Sequence, residues 1–154
     1  MDLILWRHAD AVELHEPGDD LARPLTAKGE RQATRVAAWL NQVLPESTRI
    51  LASPARRTQQ TAQALDRKFK TAPGLAPDGT VESLLAEARW PDSRHPVLVV
   101  GHQPTLGLAA SYLLTRGTVQ PWSIRKAGVW WLRLRERGGS SEVVLVSVRG
   151  PEHL

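Results

Sequence analysis

The first apolar run of the chain, Leu3-Ile4-Leu5-Trp6, stops abruptly at Arg7-His8. A run this short, ending in charge, predicts a buried strand whose carboxyl end opens into a site. Asp10 to Asp20 mixes Asp, Glu, His, Pro and Gly without periodicity and reads as a loop. Ala33, Val36, Ala37, Leu40, Val43 and Leu44 keep helical spacing, which predicts a helix from about Thr26 to Leu44, ended by Pro45. Ile50-Leu51-Ala52 is a second strand. Ser53 is expected to cap the next helix, with Pro54 at its first position and Thr61, Ala62, Leu65 and Phe69 along it. Ala72 to Gly79 is a Pro- and Gly-rich connection with room for a short strand at Gly74-Leu75-Ala76. Val81 to Trp90 fits a helix with Leu84, Leu85 and Ala88 inward, and Pro91 to Pro96 a loop.

Val97-Leu98-Val99-Val100 is a continuous apolar run, the pattern of a strand buried on both faces. Gly101-His102 comes at once, then a helix over Leu106 to Leu114. Two strands, Ala127 to Leu134 and Glu142 to Val148, flank a hairpin loop at Gly138-Gly139-Ser140-Ser141. Strand and helix alternate until that hairpin. The fold expected is therefore α/β: a three-layer α/β/α sandwich with a mainly parallel central sheet and an antiparallel C-terminal edge. With 154 residues the chain is expected to form a single domain, 1–154.

Composition narrows this only a little. The hydrophobic fraction of 42% and charged fraction of 23% are ordinary for a soluble globular protein. There are no cysteines, which excludes disulfides, thiol nucleophiles and cysteine-ligated zinc. The apolar runs are strand-sized and the N-terminus lacks the pattern of a secretory signal, so a cytoplasmic location without a membrane partner is expected. The net charge of +4 favours an anionic partner without choosing one. Packing is the expected role of all six tryptophans, with Trp39 in the core and Trp130 and Trp131 on opposite faces of one strand.

The chemistry lies in the residues just beyond each strand. Arg7 and His8 end the first, Ser53 ends the second with Arg57 one helical turn on, and His102 ends the strand at Val97 to Val100. In a parallel sheet these carboxyl ends share one edge, where ligands of open α/β sheets bind. Arginine forks match phosphate oxygens, and the first turn of a helix adds unpaired N–H groups. Histidine can carry a phosphoryl group covalently. Metal chemistry is disfavoured: no histidine pair has ligand spacing, and no carboxylates cluster with the histidines. There is no P-loop and no dinucleotide-binding glycine motif. His15, His95 and His153 have no comparable context and are expected at the surface.

These residues resemble a family. Leu5-Trp6-Arg7-His8-Ala9 is similar to the Arg-His-Gly motif of the histidine phosphatase (phosphoglycerate mutase-like) superfamily. Ser53-Pro54-Ala55-Arg56-Arg57-Thr58-Gln59-Gln60-Thr61 resembles its Ser-Pro-x-x-Arg-x-x-Gln-Thr segment, and Gly101-His102 its second histidine. The small size and Arg23-Pro24-Leu25-Thr26-Ala27-Lys28-Gly29 resemble the SixA branch, the phosphohistidine phosphatases. The resemblance spans residues 1 to about 115. It implies that His8 is the nucleophile and becomes phosphohistidine. It also implies that Arg7, Arg23 and Arg57 bind phosphoryl oxygens and that His102 contacts the phosphoryl group. Arg56, one residue out of register, is expected to be a surface or steering charge. Neither metal nor cofactor is expected.

Two departures stand out. Ala9 occupies the usual glycine position, which is tolerable only if the backbone there does not need positive φ. No general acid is evident, with Asp78, Glu82 and Glu87 the only candidates. An imidazole leaving group, whose conjugate acid has a pKa of about 6.5, needs little protonation compared with an alkoxide. The expected substrate is therefore phosphohistidine on a protein such as a histidine phosphotransfer domain or phosphocarrier. Hydrolysis of a small phosphate ester or phosphoanhydride, and a non-catalytic phosphate-binding module, are the alternatives. Nucleic acid is disfavoured, because Arg49, Arg56, Arg57, Arg67, Lys68 and Lys70 lack interleaved aromatics for base stacking.

Overall fold

A computed structural model describes residues 1–14 and 18–154. His15 lies outside the described residues. The strands are β1 (Asp2–Arg7), β2 (Arg49–Ala52), β3 (Lys70–Thr71), β4 (Val97–Gly101), β5 (Val129–Arg137) and β6 (Ser140–Arg149). The helices are α1 (Ala27–Val43), α2 (Arg56–Gln63), α3 (Val81–Ala88) and α4 (Thr105–Thr115). The strands form one six-stranded sheet in the order β3-β2-β4-β1-β5-β6. β3, β2, β4 and β1 run parallel, while β5 pairs antiparallel with β1 and with β6.

The pleat sorts side chains to two cores. Ile4 and Trp6 of β1, with Leu98 and Val100 of β4, pack against Ala33, Val36, Ala37 and Leu40 of α1 and Ala62 of α2. Leu3 and Leu5, with Val97 and Val99, face Leu84 and Ala88 of α3 and Leu106, Ala109, Ala110 and Leu113 of α4. A strand covered on both sides has no polar face, which is why β1 and β4 read as unbroken apolar runs. Trp131 joins the first core, and Trp130 packs on the second beside Trp122. Trp39 is only partly buried against the first core.

Several boundaries differ from expectation. Ser53 does not cap α2: the N-cap is Ala55, and the helix starts at Arg56 and stops at Gln63. Asp66 then takes a left-handed φ of 53°, turning the chain before Phe69. No strand forms at Gly74–Ala76, where Pro73–Leu75 is a 3-10 turn; the short strand is β3 instead. α3 ends at Ala88 because Arg89 adopts φ 55°, and Leu85 is only half-buried. The hairpin loop shrinks to Gly138 and Gly139, with φ values of 53° and 85°. Two successive positive φ values are what a tight hairpin turn demands.

Candidate active site

Register places the strand ends side by side. Arg7 pairs with Gly101 and Ala52 with Val100, so the residues after β1, β4 and β2 leave the sheet at one level. Backbone bonds hold them there: His8 N–H donates to the Gly101 carbonyl at 3.1 Å and Ser53 N–H to the Val100 carbonyl at 3.1 Å. Arg7, His8, Arg23, Arg57 and His102 all line one cavity of about 280 Å³, together with Ala11, Glu13, Pro77, Gln103 and Lys126.

The His8 ring is buried, and its Nδ1 lies 2.7 Å from the Ala9 carbonyl oxygen. A carbonyl oxygen only accepts, so Nδ1 carries the proton and Nε2 keeps its lone pair. The His102 ring centroid is 5.3 Å from that of His8, with the planes tilted by 56°. His102 Nε2 is 2.8 Å from Ser53 Oγ, which accepts a bond from Ala55 N–H at 3.2 Å. Arg7 Nη1 donates to the Ile124 carbonyl at 2.9 Å. Among the described residues, the buried side-chain nitrogens without a partner are Arg7 Nε, Arg57 Nε and His102 Nδ1. All three residues line this cavity. A larger recess of about 490 Å³ between Thr48–Leu51 and Lys68–Lys70 has none of them.

The segment around Arg57 accounts for its sequence pattern residue by residue. Ser53 holds His102, and Gln60 Oε1 accepts from Leu25 N–H at 2.7 Å. Thr61 Oγ1 accepts from Ala9 N–H at 3.1 Å and donates to the Arg57 carbonyl at 2.7 Å. Through Thr61 the start of α2 is tied to the residue after His8. Ala9 is fully buried and is not among the residues with positive φ, so its methyl group carries no backbone penalty.

Sequence reasoning passes over Asp20, because a plain polar loop gives it little signal. Asp20 opens a short 3-10 turn, Asp20–Ala22, and bridges two arginines: Arg57 Nη2 donates to its Oδ2 at 3.1 Å and Arg23 Nε to its Oδ1 at 2.9 Å. Burial pushes the Asp20 carboxyl up, but the hydrogen bonds and charges of Arg57 and Arg23 outweigh it, and the net direction is down. Asp10 is likewise held below the usual carboxylate value by hydrogen bonds from Lys126 and Thr26. Asp78, Glu82 and Glu87 are absent from the cavity wall. Asp78 and Glu82 are exposed, and Glu87 accepts the Gly74 N–H at 3.1 Å. Glu13 is the carboxylate that lines the cavity among the described residues, and it is exposed. Arg56 and His95 are exposed, and His153 lines a different recess near Glu152.

Burial pushes His8 down from 6.5 to about 4, and the charges of Arg57, Arg7 and Arg23 act in the same direction. Burial likewise pushes His102 down from 6.5 to about 3, aided by the coulombic influence of His8 and Arg57. Below pH 6.5 the unfolded chain therefore takes up protons that the native site refuses, and stability is lost as pH falls toward 4. Urea unfolding from pH 7 to 5 is expected to show a loss on the order of 1–2 kcal/mol for each histidine. The His8→Ala and His102→Ala proteins should each lose less over the same interval. A wild-type slope unchanged in both variants would remove the histidines as its cause.

The comparisons with known proteins agree with this geometry. Residues 3–80 match the profile of the histidine phosphatase superfamily (branch 1). The chain belongs to the histidine phosphatase superfamily. Within it, phosphohistidine phosphatase SixA of Escherichia coli K12 is 31% identical over 121 residues, covering 73% of this chain and 74% of that protein. An uncharacterized protein of Picosynechococcus sp. is 36% identical over 142 residues, covering 86% of this chain and 85% of that one. A solved structure of the protein histidine phosphatase SixA complexed with tungstate superposes with a TM-score of 0.81 at 26% identity, covering 99% of both chains. The phosphoglycerate mutase-like α/β fold expected of this histidine phosphatase is thus the fold observed. Family and likeness together assign it phosphatase activity. No helix among the described residues is long and apolar enough to cross a membrane.

Proposed function

We propose that residues 1–154 act as one phosphatase domain that removes phosphoryl groups from phosphohistidine on a signalling or phosphotransfer protein. The observation that carries this is that Arg7, Arg57 and His102, each with a buried, unpartnered side-chain nitrogen, line the same cavity as His8. Buried donors without acceptors cost on the order of 1–3 kcal/mol each. A phosphoryl dianion supplies oxygens to all of them and gains charge-assisted bonds to the arginines. The tungstate held by the similar SixA structure is an oxyanion of the same shape.

In this reading the unprotonated Nε2 of His8 attacks phosphorus. The depressed proton affinity of His8 keeps that nitrogen free at neutral pH. Ser53 donates its O–H to His102 Nε2 while accepting from Ala55, which leaves the Nδ1 proton of His102 for a phosphoryl oxygen. The arginines spread the charge of the transition state. The bond from phosphorus to the substrate nitrogen breaks, and the substrate imidazole, protonated on its other nitrogen, departs neutral. Water then attacks the phosphorylated His8 and inorganic phosphate leaves.

The carboxylates support the imidazole leaving group. Asp10 and Asp20 are ionised and engaged by cations, and Glu13 faces water. Neither aspartate is a protonated acid poised over the cavity, which an alkoxide would require. The Glu13→Gln, Asp78→Asn, Glu82→Gln and Glu87→Gln proteins are expected to dephosphorylate a phosphohistidine-bearing phosphotransfer domain within about threefold of wild type, since general acid help is worth about 10²–10⁴-fold where it is used. Single-turnover kinetics on that substrate and on an alkyl phosphate ester make the check. Faster turnover of the ester, abolished by one of these substitutions, would replace phosphohistidine with an alcohol phosphate as substrate.

A further inference from the structure

We infer that Asp20 is a positioning residue, which fixes Arg57 and Arg23 in the orientation that receives the phosphoryl group. The inference rests on the reading of the cavity as a phosphoryl site. It starts from how Asp20 divides the donors of Arg57. Arg57 Nη1 donates to the Asp20 backbone carbonyl at 2.8 Å, and Nη2 to Asp20 Oδ2 at 3.1 Å. A guanidinium is planar, so two bonds from its terminal nitrogens fix the whole plane, including the direction of Nε–H. That Nε is buried and unpartnered, on a residue that lines the cavity. The Arg57 side chain is only 4% exposed. Among the described residues Asp20 supplies both acceptors of the Arg57 guanidinium, one from its backbone and one from its carboxylate.

The same carboxylate holds Arg23. Arg23 Nε donates to Asp20 Oδ1 at 2.9 Å, and Nη1 donates to the Val12 carbonyl at 2.9 Å. Arg23 is thereby fixed in a second plane, with Nη2 not engaged by these bonds. Two like charges that would push each other apart are held by one anion between them. Asp20 is itself constrained. Asp19 Oδ1 caps its 3-10 turn by accepting from Leu21 N–H at 3.0 Å, and Arg23 N–H returns to the Asp20 carbonyl at 3.2 Å.

An opposite role is conceivable for a carboxylate beside phosphate-binding arginines, that of an internal anion competing with substrate. The geometry favours positioning. Asp20 is not part of the cavity wall, and it takes the terminal nitrogens of Arg57 while leaving Nε to the cavity. The two roles predict opposite signs, since loss of a competitor tightens anion binding and loss of a support weakens it.

The experiment measures binding of inorganic phosphate by calorimetry in the His8→Ala background, where no chemistry intervenes, and steady-state kinetics in the wild-type background. Asp20→Ala is expected to weaken phosphate binding about tenfold and to raise KM with a smaller loss of kcat. Asp20→Asn keeps the backbone carbonyl and one side-chain acceptor, folds if the alanine protein does not, and should fall between the two. Because Asp20 acts partly through Arg57 and partly through Arg23, Asp20→Ala added to Arg57→Ala should cost clearly less than the tenfold it costs alone. Tighter phosphate binding in the Asp20 variants, unchanged binding, or full additivity with Arg57→Ala each overturns the proposal. If the His8→Ala protein carrying native Asp20 binds no phosphate, the phosphoryl-site reading fails first and this one with it.

Discussion

Replacing His8 with alanine is expected to lower turnover of a phosphohistidine substrate by about 10⁴-fold or more, because a lost nucleophile cannot be replaced by its neighbours. Rapid acid-free quenching with radiolabelled substrate should trap an alkali-stable, acid-labile phosphoenzyme in the wild type and none in the variant. The structure makes this a clean substitution. Among the described residues His8 makes one side-chain hydrogen bond, to the Ala9 carbonyl, and its backbone is held independently by Gly101 and Ala127. The alanine protein should therefore fold with its sheet intact and lose less stability than the wild type as pH falls. The same protein should still bind inorganic phosphate, since the arginine donors do not depend on the imidazole. Retention of turnover, or a phosphoenzyme formed without His8, would sink the covalent mechanism. Loss of phosphate binding with loss of fold would instead mean that the ring is a packing element.

Gly29→Ala is expected to lower stability by about 3 kcal/mol and Tm by about 10 °C, an effect larger than most point changes produce. Glycine to alanine in a helix ordinarily gains about 1 kcal/mol. Here the gain is overwhelmed, because a Cβ on Gly29 would lie 1.9 Å from the Asp10 carbonyl oxygen, a backbone atom. Gly29 sits in the first turn of α1 and donates to Thr26 Oγ1 at 3.0 Å. Thr26 in turn donates from its backbone to the Asp10 carbonyl at 3.0 Å and from its hydroxyl to Asp10 Oδ2 at 2.7 Å. Asp10 lies two residues beyond His8, so separating α1 from it displaces His8 as well. Thermal unfolding and phosphatase kinetics should fall together. A variant with unchanged Tm would show that α1 shifts away at no cost and that the close approach is not structural.

The readability of the chain depends on the physics of each element. β1 and β4 are legible because burial on both faces leaves no polar position to blur the run, and the two faces of β1 fall in separate cores. α1 is legible because one stripe packs on the sheet and the opposite face carries Lys28, Glu30, Arg31 and Arg35 in water. The start of α2 is not. Ser53 looks like a helix cap to any local reading, but its hydroxyl is taken by His102, forty-nine positions away in the chain. The one hydroxyl serves a local turn to Ala55 and the distant ring together, and only the local half is readable. The same holds for Arg7, His8, Arg23, Arg57 and His102. The strand-end placement of Arg7, His8, Arg57 and His102 is readable and Arg23 enters only through the family resemblance, while the tautomer of His8 and the orphaned nitrogens depend on carbonyls that no spacing announces. Asp20 escapes notice for that reason, since its meaning lies in two arginines and not in its own neighbours.

The order of strands in the sheet bears on when this protein can become active. β1 and β2 share no ladder; β4 lies between them and pairs with both. Strands sit about 4.8 Å apart, so without β4 a slot about 10 Å wide separates them, with unpaired backbone on each side. A growing chain that has emerged only through β2 and α2 holds His8 and Arg57 but has no means of setting them at one level. The strand that closes the slot is the one that delivers His102. Assembly of the sheet and assembly of the cavity are therefore the same event, and a nascent chain cannot complete that cavity before this strand has docked.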